Sequence, residues 1–262
     1  MEFGLCIEMA LTGLPFEKRI EKAAEIGFKN VEMWFVDMSY SGSPGELARL
    51  AERHGVRITN TVIGAPDGSI GGGLTDPLKR DEWIERTKQT LAFNKEAHIP
   101  ASIVCTGNVI PDLDDEIMYE SVIEGLKATV DLAEKAGITL LLEPLNDRHD
   151  HPNYWLTSSD LGAAICRAIG SPRLRLLFDC YHMQIMDGDL VDHIKGNIDV
   201  IGHFHSAGVP GRNEVFIGEI RYPYVIKQIE EAGYKGIFGL EFAPSMDDEQ
   251  SLRQTLAHLK GQ

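Results

Sequence analysis

The sequence is poor in cysteine: four in 262 residues, Cys6, Cys105, Cys166 and Cys180, with no C-x-x-C pair among them. All four lie in apolar contexts, which suits reduced thiols in the cytoplasm, and a chain of this length needs no disulfide framework. No apolar run approaches the ~20 residues of a membrane span. Met1 leads almost directly into the strand pattern Phe3-Gly-Leu-Cys-Ile-Glu8, without a basic leader or cleavage site, so a cytoplasmic protein is expected. Basic residues are also scarce, 25 against 40 acidic, for a formal net charge of −15. That excess speaks against nucleic acid or anionic membranes as partners, although solubility alone accounts for most of it. Neither G-x-G-x-x-G nor a P-loop spacing occurs. The run Gly71-Gly-Gly73 lies in a long connection, 64–74, which reads as a flexible lid or nearly as well as a plain surface loop.

What the chain does have is one strand device used repeatedly. Ile138-Thr-Leu-Leu-Leu-Glu143 is a continuous apolar run that ends on a carboxylate and is followed by Pro144. It reads as a strand buried on both faces, as in parallel sheets. Leu174-Arg-Leu-Leu-Phe-Asp179, Val200-Ile-Gly-His-Phe-His205 and Ile237-Phe-Gly-Leu-Glu241 repeat the pattern and end on Asp, His and Glu. Further strands are expected over 3–9, 29–35, 56–63 and 101–106. Helices are expected between them, opened by signals such as the capping box Ser43-Pro-Gly-Glu46 and closed by Gly27, Gly55, Gly137, Gly170 and Gly233. Eight strands alternating with eight helices, without a charge-rich linker, predict an α/β fold: a single (β/α)8 TIM barrel as one domain over 1–262. A doubly wound open sheet is the runner-up. Short, evenly spaced strands favour the barrel, which would also bring the last four tips onto one rim.

Two Glu, one Asp and one His make a hard, oxygen-rich donor set. It suits one divalent ion, Mn²⁺ first with Mg²⁺ and Co²⁺ as alternatives, better than a structural zinc. An empty site of this kind would be strongly anionic, and an ion would relieve the repulsion while leaving positions for substrate oxygens. Each residue alone reads equally as a satisfied cap or ion pair, but four at consecutive tips favour a shared site. Beyond the tips lie His149, His151, His182, Arg212 and Glu214. His182 reads as a substrate contact, or else as a helix-terminal hydrogen bond. His203 should face the barrel interior by strand alternation and reads as a satisfied core histidine. His193 and His258 read as solvated, and Trp34 as an apolar wall for substrate or as plain packing.

Four motifs carry a family resemblance: Leu142-Glu-Pro-Leu-Asn146, Phe178-Asp-Cys-Tyr-His-Met183, Gly202-His-Phe-His-Ser-Ala-Gly-Val-Pro-Gly-Arg-Asn-Glu214 and Gly239-Leu-Glu241. In order, and over essentially the whole chain, they resemble the xylose-isomerase-like TIM-barrel superfamily. The nearest likeness is to the hydroxypyruvate isomerases and their relatives, the ketose 3-epimerases. The resemblance implies that Glu143, Asp179, His205 and Glu241 bind the metal. It implies that Glu143 and Glu241 also exchange protons with substrate and that His182 and Arg212 contact its oxygens. A small sugar as partner and a homo-oligomer, dimer or tetramer, are implied in the same way. Hydroxypyruvate isomerases carry Gln where His205 stands, whereas ketose 3-epimerases carry His. The loop 209–214 is of the hydroxypyruvate isomerase type, with Arg212 seven residues after His205 instead of six, and His149 stands where epimerases have Glu. A branch of ribulose- and tagatose-type 3-epimerases resembles this mixed pattern.

The expected function is therefore a metal-dependent ketose 3-epimerase acting on an unphosphorylated pentulose or hexulose. The metal would polarise the C2 carbonyl, and one of Glu143 and Glu241 would take the C3 proton. The resulting enediolate would be stabilised by the metal and His182, and the other carboxylate would return a proton to the opposite face. Return at the adjacent carbon defines the alternative, a hydroxypyruvate isomerase-type aldose–ketose isomerase, and the same ligands support both. Two readings from other classes stand further off. An abasic-site endonuclease-like barrel needs a richer zinc set and a basic groove. An inactive sugar-binding barrel is disfavoured by the intact pair Glu143 and Glu241.

Overall fold

Apolar runs and helix stops alternate along the chain. In the structure, a computed structural model that describes residues 1–36, 39–64 and 73–261, they become strands and helices in turn. The order is β1 (Glu2–Cys6), α1 (Phe16–Ile26), β2 (Asn30–Glu32), α2 (Pro44–His54), β3 (Arg57–Ile58), β4 (Thr61–Ile63), α3 (Arg80–Ala97), β5 (Ala101–Val104), α4 (Asp115–Ala136), β6 (Thr139–Leu142), α5 (Ser159–Ile169), β7 (Leu174–Asp179), α6 (Cys180–Met186), α7 (Leu190–Asn197), β8 (Ile201–His205), α8 (Tyr222–Glu231), β9 (Ile237–Leu240) and α9 (Asp248–Leu259). Most of the connection 64–74, read from sequence as a lid or loop, falls outside the described residues.

Local chemistry sets the boundaries. The capping box opening α2 is complete: Ser43 Oγ accepts from the Glu46 N–H at 3.3 Å, and Glu46 Oε2 accepts from the Ser43 N–H at 2.9 Å. At the far end of α4, Gly137 takes a φ of 74° that a residue with a Cβ adopts at a cost. This lets the Ile138 N–H turn back to the Ala133 carbonyl at 3.0 Å, after which β6 begins.

The strands pair in parallel throughout, in the order β3-β2-β1-β9-β8-β7-β6-β5-β4. The third strand, expected as one run over 56–63, is broken at Thr59 and Asn60 into β3, which pairs with β2, and β4, which pairs with β5. The Met33 N–H still reaches the Asn60 carbonyl at 3.3 Å and the Val62 N–H that of Trp34 at 2.9 Å, so the continuous stretch closes the ring into a single barrel. The break turns the Asn60 amide inward, 3.4 Å from Nε2 of His203.

Register then levels the functional tips. Asp179 lies opposite His205, and Cys6 opposite Glu32. Between β7 and β8 the register shifts at Leu176 and Leu177, leaving Gly202 as the extra residue of a bulge. A Cβ there would stand 2.5 Å from that of Arg175, so the bulge needs glycine. Leu140, Leu142, Leu176, Phe178, Phe204 and Phe238 are fully buried around these strands, each contributing roughly 1.5–3 kcal/mol through burial. All four cysteines are buried and free, in keeping with reduced thiols. Among the described residues no helix is long and apolar enough to cross a membrane.

Candidate metal centre

Each tip residue is set by the strand behind it. The Glu143 N–H donates to the Val104 carbonyl at 3.0 Å, so Glu143 is still held by the β5 edge before Pro144 ends the ladder. Its carbonyl accepts from the Tyr154 hydroxyl at 3.0 Å, and that hydroxyl accepts from the Thr106 N–H at 2.7 Å. Asp179 is both the last residue of β7 and the cap of α6. Its Oδ1 accepts from the Tyr181 N–H at 2.7 Å, and Oδ2 is left for the site. His205 ends β8, and Glu241 follows β9 with its N–H on the Ser206 carbonyl at 3.0 Å.

These side chains converge. One ligand atom from each of Glu143, Asp179, His205 and Glu241 lies within 4.8 Å of all the others, and all four residues are buried. Nδ1 of His205 stands 3.7 Å from Glu143 Oε1 and 3.7 Å from Glu241 Oε2, too far for hydrogen bonds. Glu143 Oε1 and His205 Nδ1 are buried without a partner among the described residues. Buried polar atoms are rarely left so. A gap ringed by three carboxylates and one imidazole nitrogen fits a hard divalent cation.

The electrostatics agree with that fit. Burial pushes Asp179 up to about 7; His205 and Arg212 oppose the shift, while the Glu241 and Glu143 carboxylates add to it. Burial also raises Glu143. For Glu241 burial acts in the same sense, but the charges of His205 and Arg212 and the Trp34 indole N–H outweigh it and lower the carboxyl.

His182, the candidate substrate contact, is fully buried at the same rim. The backbone N–H of Asn146 donates to its Nδ1 at 3.1 Å. Burial, reinforced by the charges of Arg212, His151 and His205, lowers its pKa well below the usual histidine value. A neutral ring that accepts at Nδ1 carries its proton on Nε2. That N–H is unpartnered among the described residues and lies 3.6 Å from Asp179 Oδ2, so it is available to a substrate oxygen. Arg212 closes the other side. Its guanidinium bonds Glu241 Oε2 at 2.5 Å, lies 3.8 Å from Asp150 Oδ1 and sits 5.3 Å from the Tyr181 ring centroid.

Trp34 packs against the core, one of its two sequence readings, and has a polar role besides. It is a donor, with Nε1–H on Glu241 Oε1 at 2.9 Å. Sequence reasoning missed Glu32, which bridges His203 and His205 at 3.0 and 2.6 Å. The signal was an acid on the Asn30-Glu32-Trp34 face of a strand otherwise read by its apolar residues. His203 is satisfied in the core, as expected. His193 pairs with Asp160 at 3.2 Å, and the His258 ring lies 6.0 Å from that of Phe216. Glu214 ties its loop to α9 through Ser245 and Ser251, all at 2.8–2.9 Å. His149 is exposed, whereas the His151 ring lies 5.4 Å from that of His182. A cavity of about 970 Å³ opens at the opposite end of the barrel, beside α2 and α3, away from these tips. Two of its guanidinium groups are already engaged, Arg57 by Glu2 and Asn30 and Arg175 by the Asp199 carbonyl.

Known proteins share this arrangement of chain. The 2-oxo-tetronate isomerase of Cupriavidus necator is 31% identical over 251 residues, covering 92% of this chain and 92% of its own. The hydroxypyruvate isomerase of Escherichia coli is 28% identical over 255 residues, 97% of both. Among solved structures, an AP endonuclease, family 2, from Brucella melitensis superposes with a TM-score of 0.89 at 28% identity, covering 96% of each chain. The family model described as xylose isomerase-like TIM barrel matches residues 20–262, and the chain belongs to that family.

Proposed function

We propose that this enzyme is a divalent-metal-dependent isomerase that moves a proton between neighbouring carbons of a short hydroxy-oxo acid, of the class of hydroxypyruvate and 2-oxo-tetronate. The carrying observation is the pair of buried carboxylates, Glu143 and Glu241, each 3.7 Å from Nδ1 of His205, which has no partner among the described residues. Glu143, Asp179, His205 and Glu241 would hold the ion, with Mn²⁺ the best match to three carboxylates and one imidazole. When bound it supplies Lewis acidity, polarising the substrate carbonyl and acidifying the adjacent C–H.

The chain's own groups do the rest. One of Glu143 and Glu241 takes the proton from the carbon bearing the hydroxyl, a carboxylic acid returns one to the former carbonyl carbon, and the hydroxyl proton passes to the former carbonyl oxygen, so that the oxo and hydroxy groups exchange places. The Nε2–H of His182 donates to the oxygen on which negative charge builds between the two transfers. Arg212 offers a guanidinium to the substrate carboxylate. The names of the relatives support this aldose–ketose alternative over the ketose 3-epimerase expectation. The 3-epimerase remains the second reading because His205 stands where the resemblance gives hydroxypyruvate isomerases Gln.

Incubation with Mn²⁺ in deuterated water, followed by NMR of the quenched substrate, tests both. Hydroxypyruvate and 2-oxo-tetronate should acquire deuterium and yield their 2-hydroxy-3-oxo isomers. Deuterium at an inverted C3 of a ketopentose, without reaction of the oxo acids, would establish the epimerase reading. Exchange in none of them would remove both.

A further inference from the structure

We infer that Glu32 is a positioning residue for His205, holding its ring with Nε2–H turned away from the proposed metal centre and the Nδ1 lone pair turned into it. The inference rests on the metal reading above and adds a residue outside the four donors.

Glu32 ends β2 and is 1% exposed, a setting in which a carboxylate needs partners. Among the described residues it has two, both imidazoles. Oε2 lies 2.6 Å from Nε2 of His205 and Oε1 lies 3.0 Å from Nε2 of His203. An ionised carboxylate only accepts, so each ring turns an N–H toward it. For His205 in its neutral form, this leaves the lone pair on Nδ1, the atom that is buried without a partner among the described residues and faces Glu143 and Glu241. A carboxylate behind a metal-facing imidazole fixes its tautomer and ring angle and strengthens it as a donor. His203 in turn fixes Glu32, its Nε2–H donating to Oε1.

The barrel wall is shaped around this contact. A Cβ built on Gly4 would lie 2.7 Å from Glu32 Oε1. One on Gly239 would lie 2.7 Å from the same oxygen and 2.6 Å from Cδ2 of His205. Two strands, β1 and β9, thus leave out side chains where the carboxylate and the ring meet.

The test is a double-mutant cycle on Mn²⁺ affinity, with Kd measured by titration of the metal-free chain. Glu32→Gln should weaken Mn²⁺ binding about 10- to 100-fold. In a His205→Gln background the same change should alter Kd by less than about twofold, because its route through the ring is gone. A purely structural role predicts equal losses in both backgrounds, and that result overturns the inference. An unchanged Kd in folded Glu32→Gln overturns it too. If Glu32→Gln does not fold, Glu32→Asp runs through the same cycle, keeping the charge but withdrawing the oxygens by one methylene. A wild-type chain that binds no divalent ion overturns the metal reading and this inference together. Wild-type binding with an unaltered Glu32→Gln Kd overturns the inference alone.

Discussion

Glu143 and Glu241 stand at the same 3.7 Å from Nδ1 of His205, yet they are held differently. Both oxygens of Glu241 are engaged, by Trp34 and by Arg212, whereas Glu143 Oε1 has no partner among the described residues. Substituting either by Gln should lower turnover by roughly 10²–10⁴-fold, the usual range for loss of a general acid or base. The two variants should separate in KM. Glu143→Gln leaves the Arg212 contact intact, while Glu241→Gln also releases the guanidinium and should raise KM. Steady-state kinetics on hydroxypyruvate, with Mn²⁺ occupancy measured separately, check this; near-wild-type turnover in a metal-loaded variant would defeat the two-carboxylate scheme.

His182 gives a second expectation. Its Nδ1 is occupied by the Asn146 N–H, so the group it can offer a substrate is Nε2–H. His182→Leu removes that donor and should lower kcat by roughly 10²–10³-fold, the size of a lost oxyanion contact. His182→Gln should lose less, since an amide both accepts from Asn146 and donates onward. Mn²⁺ affinity should move little in either variant. A loss of kcat that follows metal affinity instead would make His182 a support of Asp179, 3.6 Å away.

The convergence of Glu143, Asp179, His205 and Glu241 was legible because each ends an apolar run, where β-strand geometry alone delivers a side chain to the rim. Glu32 was not, although it lies on a strand that was read correctly as a strand. Val31 and Met33 are the apolar residues of β2 and its extension, and alternation makes Glu32 look like an outward polar position. The barrel reverses that reading, because at this level its interior holds His203 and His205 and therefore takes a carboxylate. The helix α6 carries no sequence signal of its own for a related reason: Asp179 ends a strand and caps a helix with no intervening turn residue. On the two-carboxylate scheme proposed above, the choice between epimerase and isomerase would depend on where a substrate carbon sits between Glu143 and Glu241. One ligand set accommodates both, so the residues alone left it open.

Arg212 tests the substrate class. Its guanidinium spans Glu241, Asp150 and the Tyr181 ring, and Nε has no partner among the described residues. Lysine cannot reproduce a planar fork or that stacking. If the substrate carboxylate binds here, Arg212→Lys should raise KM for hydroxypyruvate about 10- to 100-fold, matching the ~1.5–3 kcal/mol of a charge-assisted hydrogen bond. Solvent exchange into a neutral ketose should change far less. Equal losses on both substrates would place the arginine with Glu241 and away from the substrate's acid group.

Metal removal should be visible in stability as well as activity. Glu143, Asp179 and Glu241 crowd their carboxylates into one buried gap, and Asp179 is pushed up to about 7 by burial together with its acidic neighbours. An ion that binds only the folded chain stabilises it by about 2.7 kcal/mol at a hundred times its Kd. At ~2–4 °C per kcal/mol for a domain of this size class, Mn²⁺ should raise the melting midpoint by roughly 5–10 °C and exhaustive chelation should reverse the gain. Asp179→Asn separates charge repulsion from the ligand role. Asn still caps α6, since its side-chain oxygen accepts from the Tyr181 N–H as Oδ1 does. The substitution removes one of three mutually repelling acids, so the metal-free variant should melt at or above the metal-free wild type. It should also lose most of the Mn²⁺ response. A metal-free Asp179→Asn chain that melts well below the metal-free parent would mean that the carboxylate stabilises the empty site, and the repulsion account would fall.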